Sequence, residues 1–226
     1  MAILALIPAR CNSKGIPGKN IRSFRGLPLL AHSIRHAQAA GFRNEDIVLT
    51  TDSEQYAEIG RQYGADVPFM RPDELATDTA GSREVMLHAI DTLAASGRVY
   101  DTICLLQPTS PLRDPQDIRD AIALYESTAP DMVVGVSVSG ANPYYNLFEP
   151  DAEGCLHISK GDGLITRRQD APPVYEFNGA IYIIRVEALR HSPITRFDHI
   201  MPLVMPAERS LDLDTEADWQ RLDTGQ

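Results

Sequence analysis

Short apolar runs, each leading through a loop into a helical pattern, constrain this chain more than any other feature. Residues 3–7 (ILALI), 46–50 (DIVLT), 102–106 (TICLL) and 131–138 (DMVVGVSV) are nearly free of polar alternation. Runs of this kind read as strands buried on both faces, as in parallel sheets. Between them, Leu30, Ile34 and Ala37 follow Pro28 at helical spacing; Met86, Ala89, Ile90 and Leu93 follow Ser82; Ile118, Ala121, Ile122 and Tyr125 follow Pro115. Tyr56, Ile59, Gly60 and Tyr63 share a face behind a Ser53 cap, and Ala217, Trp219 and Leu222 close the chain in a last helix. The alternation predicts one α/β domain with a mainly parallel sheet covered on both faces. In such sheets ligands sit at the carboxyl ends of strands.

The first strand runs into RCNSKGIPGKNIRSFR, a turn-rich basic loop. The chain of 226 residues carries a net charge of −10, yet it has seven Arg or Lys and no Asp or Glu before Glu45. Only three lysines occur, and Lys14 and Lys19 are two of them. Cationic side chains with free backbone N–H groups suit a polyphosphate; a solvated charged loop is the plainer alternative. The spacing is not that of a Walker A loop, because Ser13 precedes Gly18-Lys19 where Gly is needed and Asn20 follows where a hydroxyl is needed. The dinucleotide pattern G-x-G-x-x-G is absent as well.

Elsewhere the residues leave choices open. Ser82 is either a helix cap or a hydroxyl facing a ligand. Gln107 stands between a strand end and the stiff PTSP turn, where its amide could read a base or a sugar hydroxyl. His32 and His36, four apart on a helix with no third ligand suggested nearby, point to a surface or interface role rather than a metal pair. SLDLDT near the end alternates, putting Asp212 and Asp214 on one side about 6–7 Å apart. That is either a Mg²⁺ site of hard oxygen ligands or the wet face of an edge strand leading into a Thr215 helix cap. Residues 140–173 break the rhythm with prolines and glycines and read as a functional loop or an inserted subdomain, which could fold as β-hairpins needing a partner's surface.

Composition excludes several classes. An acidic chain with 43% hydrophobic and 23% charged residues is neither disordered nor built for a nucleic-acid backbone. Cys11, Cys104 and Cys155 have no paired spacing, so reduced thiols in the cytoplasm are expected rather than disulfides or zinc. The N-terminal apolar run is too short for a signal peptide or membrane span.

Five motifs in order, IPARCNSKGIPGKN, DTAGS, LLQPTSPLR, YEFNGAIYI and LDLDTEADW, resemble those of the CMP-sialic acid synthetases, or acylneuraminate cytidylyltransferases, across nearly the whole chain. The resemblance implies a Rossmann-like three-layer nucleotide-diphospho-sugar transferase fold: a core of residues 1–139 and 174–226, and an inserted arm, residues 140–173, that reaches the other subunit's site in a homodimer. It implies the reaction of CTP with a nine-carbon 2-keto acid sugar to give the CMP-sugar and diphosphate. Arg10 and Lys19 would hold the triphosphate and act catalytically; Asn12, Lys14, Asn20 and Ser82 would complete the nucleotide site. Gln107, Arg168, Asn178 and Tyr182 would face the acid sugar. Asp212 and Asp214 would hold Mg²⁺, with Asp212 helping to activate the sugar hydroxyl. Glu176 and Tyr145 stand where some N-acetylneuraminate enzymes carry Arg and Lys. Legionaminic acid, or a more distant Kdo-type sugar, is therefore an alternative substrate, and a non-catalytic nucleotide-sugar binding module is the remote one.

Overall fold

The computed structural model describes residues 1–11 and 15–223. Its centre is a six-stranded sheet made of β1 (Ile3–Pro8), β4 (Ile47–Thr50), β5 (Thr102–Leu105), β6 (Met132–Val138), β9 (Tyr175–Arg185) and β10 (Ile200–Val204), ordered β10-β6-β9-β5-β1-β4. The apolar runs form strands because each has two faces to bury. In β1, Ala5 and Ile7 face one core, while Leu4 and Leu6 face another. The first core is closed by α1 (Leu29–Ala40), α2 (Glu54–Gln62) and α4 (Pro115–Thr128), the second by α3 (Ser82–Ala95) and α5 (Val186–His191). The result is the expected helix-sheet-helix sandwich.

Start and stop signals lie where the local chemistry requires them. Gly41 ends α1 in the left-handed region, with its N–H returned to Ala37 and Gln38. Ser53 caps α2 by accepting the Tyr56 N–H. Asp114 and Asp117 form a reciprocal capping box ahead of Pro115 in α4.

One strand departs from the parallel expectation. β9 runs antiparallel to both β5 and β6. It returns from the insertion with no helical crossover, and a chain that turns back without one pairs antiparallel. β10, parallel to β6 at the edge, gave no sequence signal, because Pro202 interrupts it and alternate residues are exposed. Two short antiparallel ladders complete the strands: β2 (Ser23–Phe24) with β3 (Leu27–Pro28), and, inside residues 140–173, β7 (Phe148–Pro150) with β8 (Leu156–Ile158).

Residues 210–214 form no strand, so the edge-strand alternative does not hold for them. Apart from the Ser210 N–H turn bond to Ala207 O at 3.1 Å, their backbone–backbone tie among the described residues runs from the Leu213 N–H to Thr109 O at 2.8 Å. Leu213 is held instead by a third, smaller core with Ile16, Phe24, Leu29, Trp219 and Leu222, which joins the basic loop to α6 (Glu216–Asp223). His32 and His36 are half-buried on α1. His32 Nε2 donates to Phe24 O at 2.8 Å, and burial beside Arg113 pushes His36 down to about 3.

Replacing Asp114 by Ala removes the α4 cap and should cost about 1 kcal/mol of stability. A urea midpoint unchanged from the parent would show that Pro115 and the tertiary packing start this helix without the cap.

Candidate active site

The chain leaves β1 towards the edge through α1 to β4, then returns past β1 to β5. This reversal opens a crevice at the carboxyl ends of β1 and β5, the place where open α/β sheets bind ligands. A cleft of about 610 Å³ lies there, lined by Arg10, Lys19, Asn20, Ser82, Gln107 and Asp214 among others. Six residues singled out from widely separated motifs therefore share one cavity. Asn12 and Lys14 lie outside the described residues.

The basic loop is anchored before it reaches the cleft. Asp52, just past β4, accepts the Cys11 N–H at 2.8 Å and the Cys11 thiol at 2.9 Å. Asn20 donates from Nδ2 to Arg10 O at 2.9 Å, so its amide braces the loop as well as lining the cavity. Arg10 pairs across the cleft with Asp78 of the DTAGS turn. Gly81 takes the helix-cap position, which makes Ser82 the first residue of α3 and leaves its side chain on the cleft wall.

Lys19 is 8% exposed, and its Nζ lies 2.9 Å from Asp214 Oδ1. The loop runs so close to the acidic segment that a Cβ on Gly15 would sit 2.4 Å from Asp214 O. Only glycine fits that approach. Asp212 lies deeper than Asp214. Burial raises its pKa, and the neighbouring Asp214 carboxylate adds to the effect, while Thr109 and Lys19 oppose it. Asp212 Oδ1 is buried with no hydrogen-bond partner. An unsatisfied carboxylate oxygen beside a second carboxylate fits a hard cation. No group of three or more His, Cys, Asp or Glu side chains gathers for a metal among the described residues. A cation held here would take its remaining ligands from water or a bound anion.

Two buried arginines escaped the sequence reading. Arg71 lines the cleft and donates from Nη2 to Thr50 O at 2.6 Å; burial, with Arg10 close by, lowers its pKa to about 10. Arg113 lies beneath the Gln107 turn, 2% exposed, donating from Nη1 to Ser33 Oγ at 2.8 Å and from Nη2 to Gln107 O. Burial lowers its pKa to about 10 as well. Arg113 ends a quoted motif, but nothing in a sequence distinguishes an arginine that faces ligand from one that braces a turn. Arg71 opens an irregular stretch, residues 71–82, and carried no signal.

The other expected sugar contacts are placed differently. Tyr182 is 7% exposed on the sheet face under α3, and burial raises its phenol pKa, with the Asp212 charge adding to this. Asn178 is buried within β9, and its side chain bonds other parts of the protein. Arg168 is exposed on the insertion and does not line this cleft.

Residues 4–217 match the family model described as Cytidylyltransferase. The chain belongs to the cytidylyltransferase family. It is an enzyme of the nucleotidyltransferase type. It is 36% identical over 97% of its length to the CMP-N,N'-diacetyllegionaminic acid synthase of Legionella pneumophila, covering 94% of that protein. It is 37% identical over 96% of its length to the N-acylneuraminate cytidylyltransferase of Escherichia coli O18:K1:H7, of which it spans half. Among solved structures, a CMP:2-keto-3-deoxy-manno-octonic acid synthetase complexed with CTP superposes with a TM-score of 0.71, covering 99% of this chain and 98% of the other at 15% identity. That likeness shows a shared nucleotidyltransferase fold. No helix among the described residues is long and apolar enough to cross a membrane.

The raised pKa of Asp212 carries a sign for stability. A carboxylate whose folded pKa exceeds its unfolded value favours folding fully only below the unfolded pKa, and that contribution is lost as pH rises through the folded pKa. In metal-free protein, Asp212→Asn should therefore melt higher than the parent at pH 8. The gap should close as pH falls towards the ordinary carboxylate range. A pH-independent gap in thermal melting would contradict it.

Proposed function

We propose that this cytidylyltransferase joins CTP to a nine-carbon 2-keto acid sugar, releasing diphosphate. One observation carries the reading: Lys19 and Asp214 meet in a cleft at the end of β1, with the more deeply buried Asp212 interacting with both, in a chain about equally identical to a legionaminate synthase and an N-acylneuraminate cytidylyltransferase. Arg10 and Lys19 now neutralise Asp78 and Asp214, so a triphosphate entering the cleft exchanges one anionic partner for another. The sugar's anomeric hydroxyl oxygen forms the new bond to the α-phosphorus and the α–β bridging bond breaks. Diphosphate leaves against the two cations, and the hydroxyl proton passes to water. The protein's contribution is positioning and charge neutralisation, as in other phosphoryl chemistry.

Asp212 and Asp214 would hold Mg²⁺ once Lys19 has exchanged Asp214 for the triphosphate. When bound, the ion supplies positive charge that offsets the phosphate oxygens and orients them. Gln107 faces the sugar from the β5 turn. The reaction consumes CTP and belongs in the cytoplasm, where Cys11, Cys104 and Cys155 stay reduced.

Residues 140–173 form the arm of a homodimer in this reading, with the remaining residues as the catalytic core. The β7–β8 hairpin has three residues per strand and leaves Phe148 and Leu156 largely exposed, as is Leu164 beyond it. A hairpin that small needs a surface to rest on, and Arg168 on the same arm would reach the partner's cleft to meet the sugar carboxylate.

Diphosphate release with CTP and Mg²⁺ should proceed with N-acetylneuraminic or legionaminic acid and fail or be far slower with Kdo. Lys19→Ala should lower turnover by about 10²–10³-fold, the usual cost of removing one charge-stabilising donor, and chelation should abolish it. CTP binding without turnover on any acid sugar would contradict the assignment. Sedimentation should give twice the chain mass at micromolar concentration, and a monomer would remove the arm's role.

A further inference from the structure

The acidic segment carries two of the site's charges yet belongs to no strand, so its position has to come from somewhere else. Regular pairing between β6 and β9 breaks at one place: Val134 pairs with Tyr182 and Val136 with Phe177. Four residues of β9, Asn178 to Ile181, are thus set against the single Gly135. The Asn178 side chain occupies the space this opens. A Cβ on Gly135 would lie 2.7 Å from Asn178 Oδ1 and 3.0 Å from Met205 Sδ, so glycine there is what admits the carboxamide.

Every hydrogen-bonding atom of that carboxamide is used inside the protein. Oδ1 accepts the Ala180 N–H at 3.0 Å, which closes the bulge. Nδ2 donates to Ser210 Oγ at 3.0 Å and lies 3.2 Å from Met205 Sδ. Ser210 in turn donates to Pro206 O at 2.9 Å. Ser210 is two residues before Asp212, and the bulge presents Gly179 directly opposite it. The space a Gly179 Cβ would fill lies 3.5 Å from Ser110 Oγ, 3.8 Å from Gln107 Oε1 and 3.9 Å from Asp212 Oδ2. Gly179 has a φ of +73°, so the bare backbone at this point is a feature of the bulge itself.

We propose that Asn178 is a positioning residue that does not touch the sugar. Its carboxamide ties the β9 bulge to the Ser210 turn, and so sets the distance between the Gly179 backbone, Gln107 and Asp212. This replaces the expectation that Asn178 contacts substrate, since both of its N–H donors are already committed. The catalytic consequence rests on the function proposed above; the tie itself does not. Arg209 secures the same turn from the other side, with Nε and Nη2 donating to Asp117 at 3.0 and 2.8 Å. The segment before Asp212 is therefore pinned to both β9 and α4.

The test compares Asn178→Ala, Ser210→Ala and the double variant in steady-state kinetics and in amide hydrogen exchange of residues 206–214. A displaced site geometry should lower kcat by roughly 10–100-fold, with the sugar KM changed less than about threefold. Ser210→Ala should move kcat the same way, and the double variant should be no worse than Asn178→Ala, because both cut one tie. Exchange of the Leu213 amide should speed up in each. A direct sugar contact would instead raise the sugar KM in Asn178→Ala alone, leaving Ser210→Ala kinetically and in exchange like the parent, and that result would overturn the proposal. Ser210 is partly exposed, so its variant serves if Asn178→Ala fails to fold. If the parent turns over no acid sugar, the functional reading fails while hydrogen exchange still decides whether the tie holds Asp212.

Discussion

A strand buried on both faces can meet water only at its ends, and β1 is such a strand. Leu4, Ala5, Leu6 and Ile7 are fully buried between the two helical layers, leaving no room for polar chemistry along its length. The first charged group the chain can place after β1 is Arg10, at the carboxyl end. The same holds for β5, whose first long polar side chain after the buried run is Gln107. The cleft is therefore where two fully buried strands first release polar side chains, at the point where their connections diverge.

Charge explains how the cleft is held together without a ligand. The chain is acidic, yet its basic loop is pulled inward, because Arg10 and Lys19 each find a carboxylate from a distant part of the sequence. Asp214 is largely exposed and Arg10 and Asp78 are each about a third exposed, so solvent screens both pairs and neither adds much to stability. Weak pairs of this kind are readily exchanged for a bound polyanion. The deeper groups behave differently. Arg71 and Arg113 are buried against carbonyl and hydroxyl oxygens, and Asp212 lacks a partner for one oxygen. Each holds a charge or a polar atom in a costly place, and such cost concentrates where pre-organised electrostatics serve a reaction.

The layered fold and the cleft's motifs were legible because they depend on local patterns. Apolar runs specified β1, β4, β5 and β6, helical spacing specified α1 to α4, and Arg10, Lys19, Ser82, Gln107 and Asp214 all reached one cavity. What escaped depends on pairings that no local pattern records. The direction of β9 follows from the missing crossover, and β10 is hidden by Pro202 and its wet edge. The alternation in SLDLDT suggested a strand, whereas Leu213 enters a third core and leaves the two aspartates to be fixed from β9 and α4. Arg113 and Asn178 sit inside conspicuous motifs, yet their side chains turn away from the cleft into the protein. Residue type and spacing cannot separate those two directions, and only burial and hydrogen-bond partners do.

In the proposed reading Lys19 and the Asp212–Asp214 pair form the nucleotide's phosphate and metal site, and a crystal structure with CTP and Mg²⁺ would decide it. The triphosphate should lie against Arg10 and Lys19, both released from Asp78 and Asp214, with the ion held by Asp212 and Asp214. A nucleotide bound elsewhere, with the Lys19–Asp214 pair intact, would contradict it.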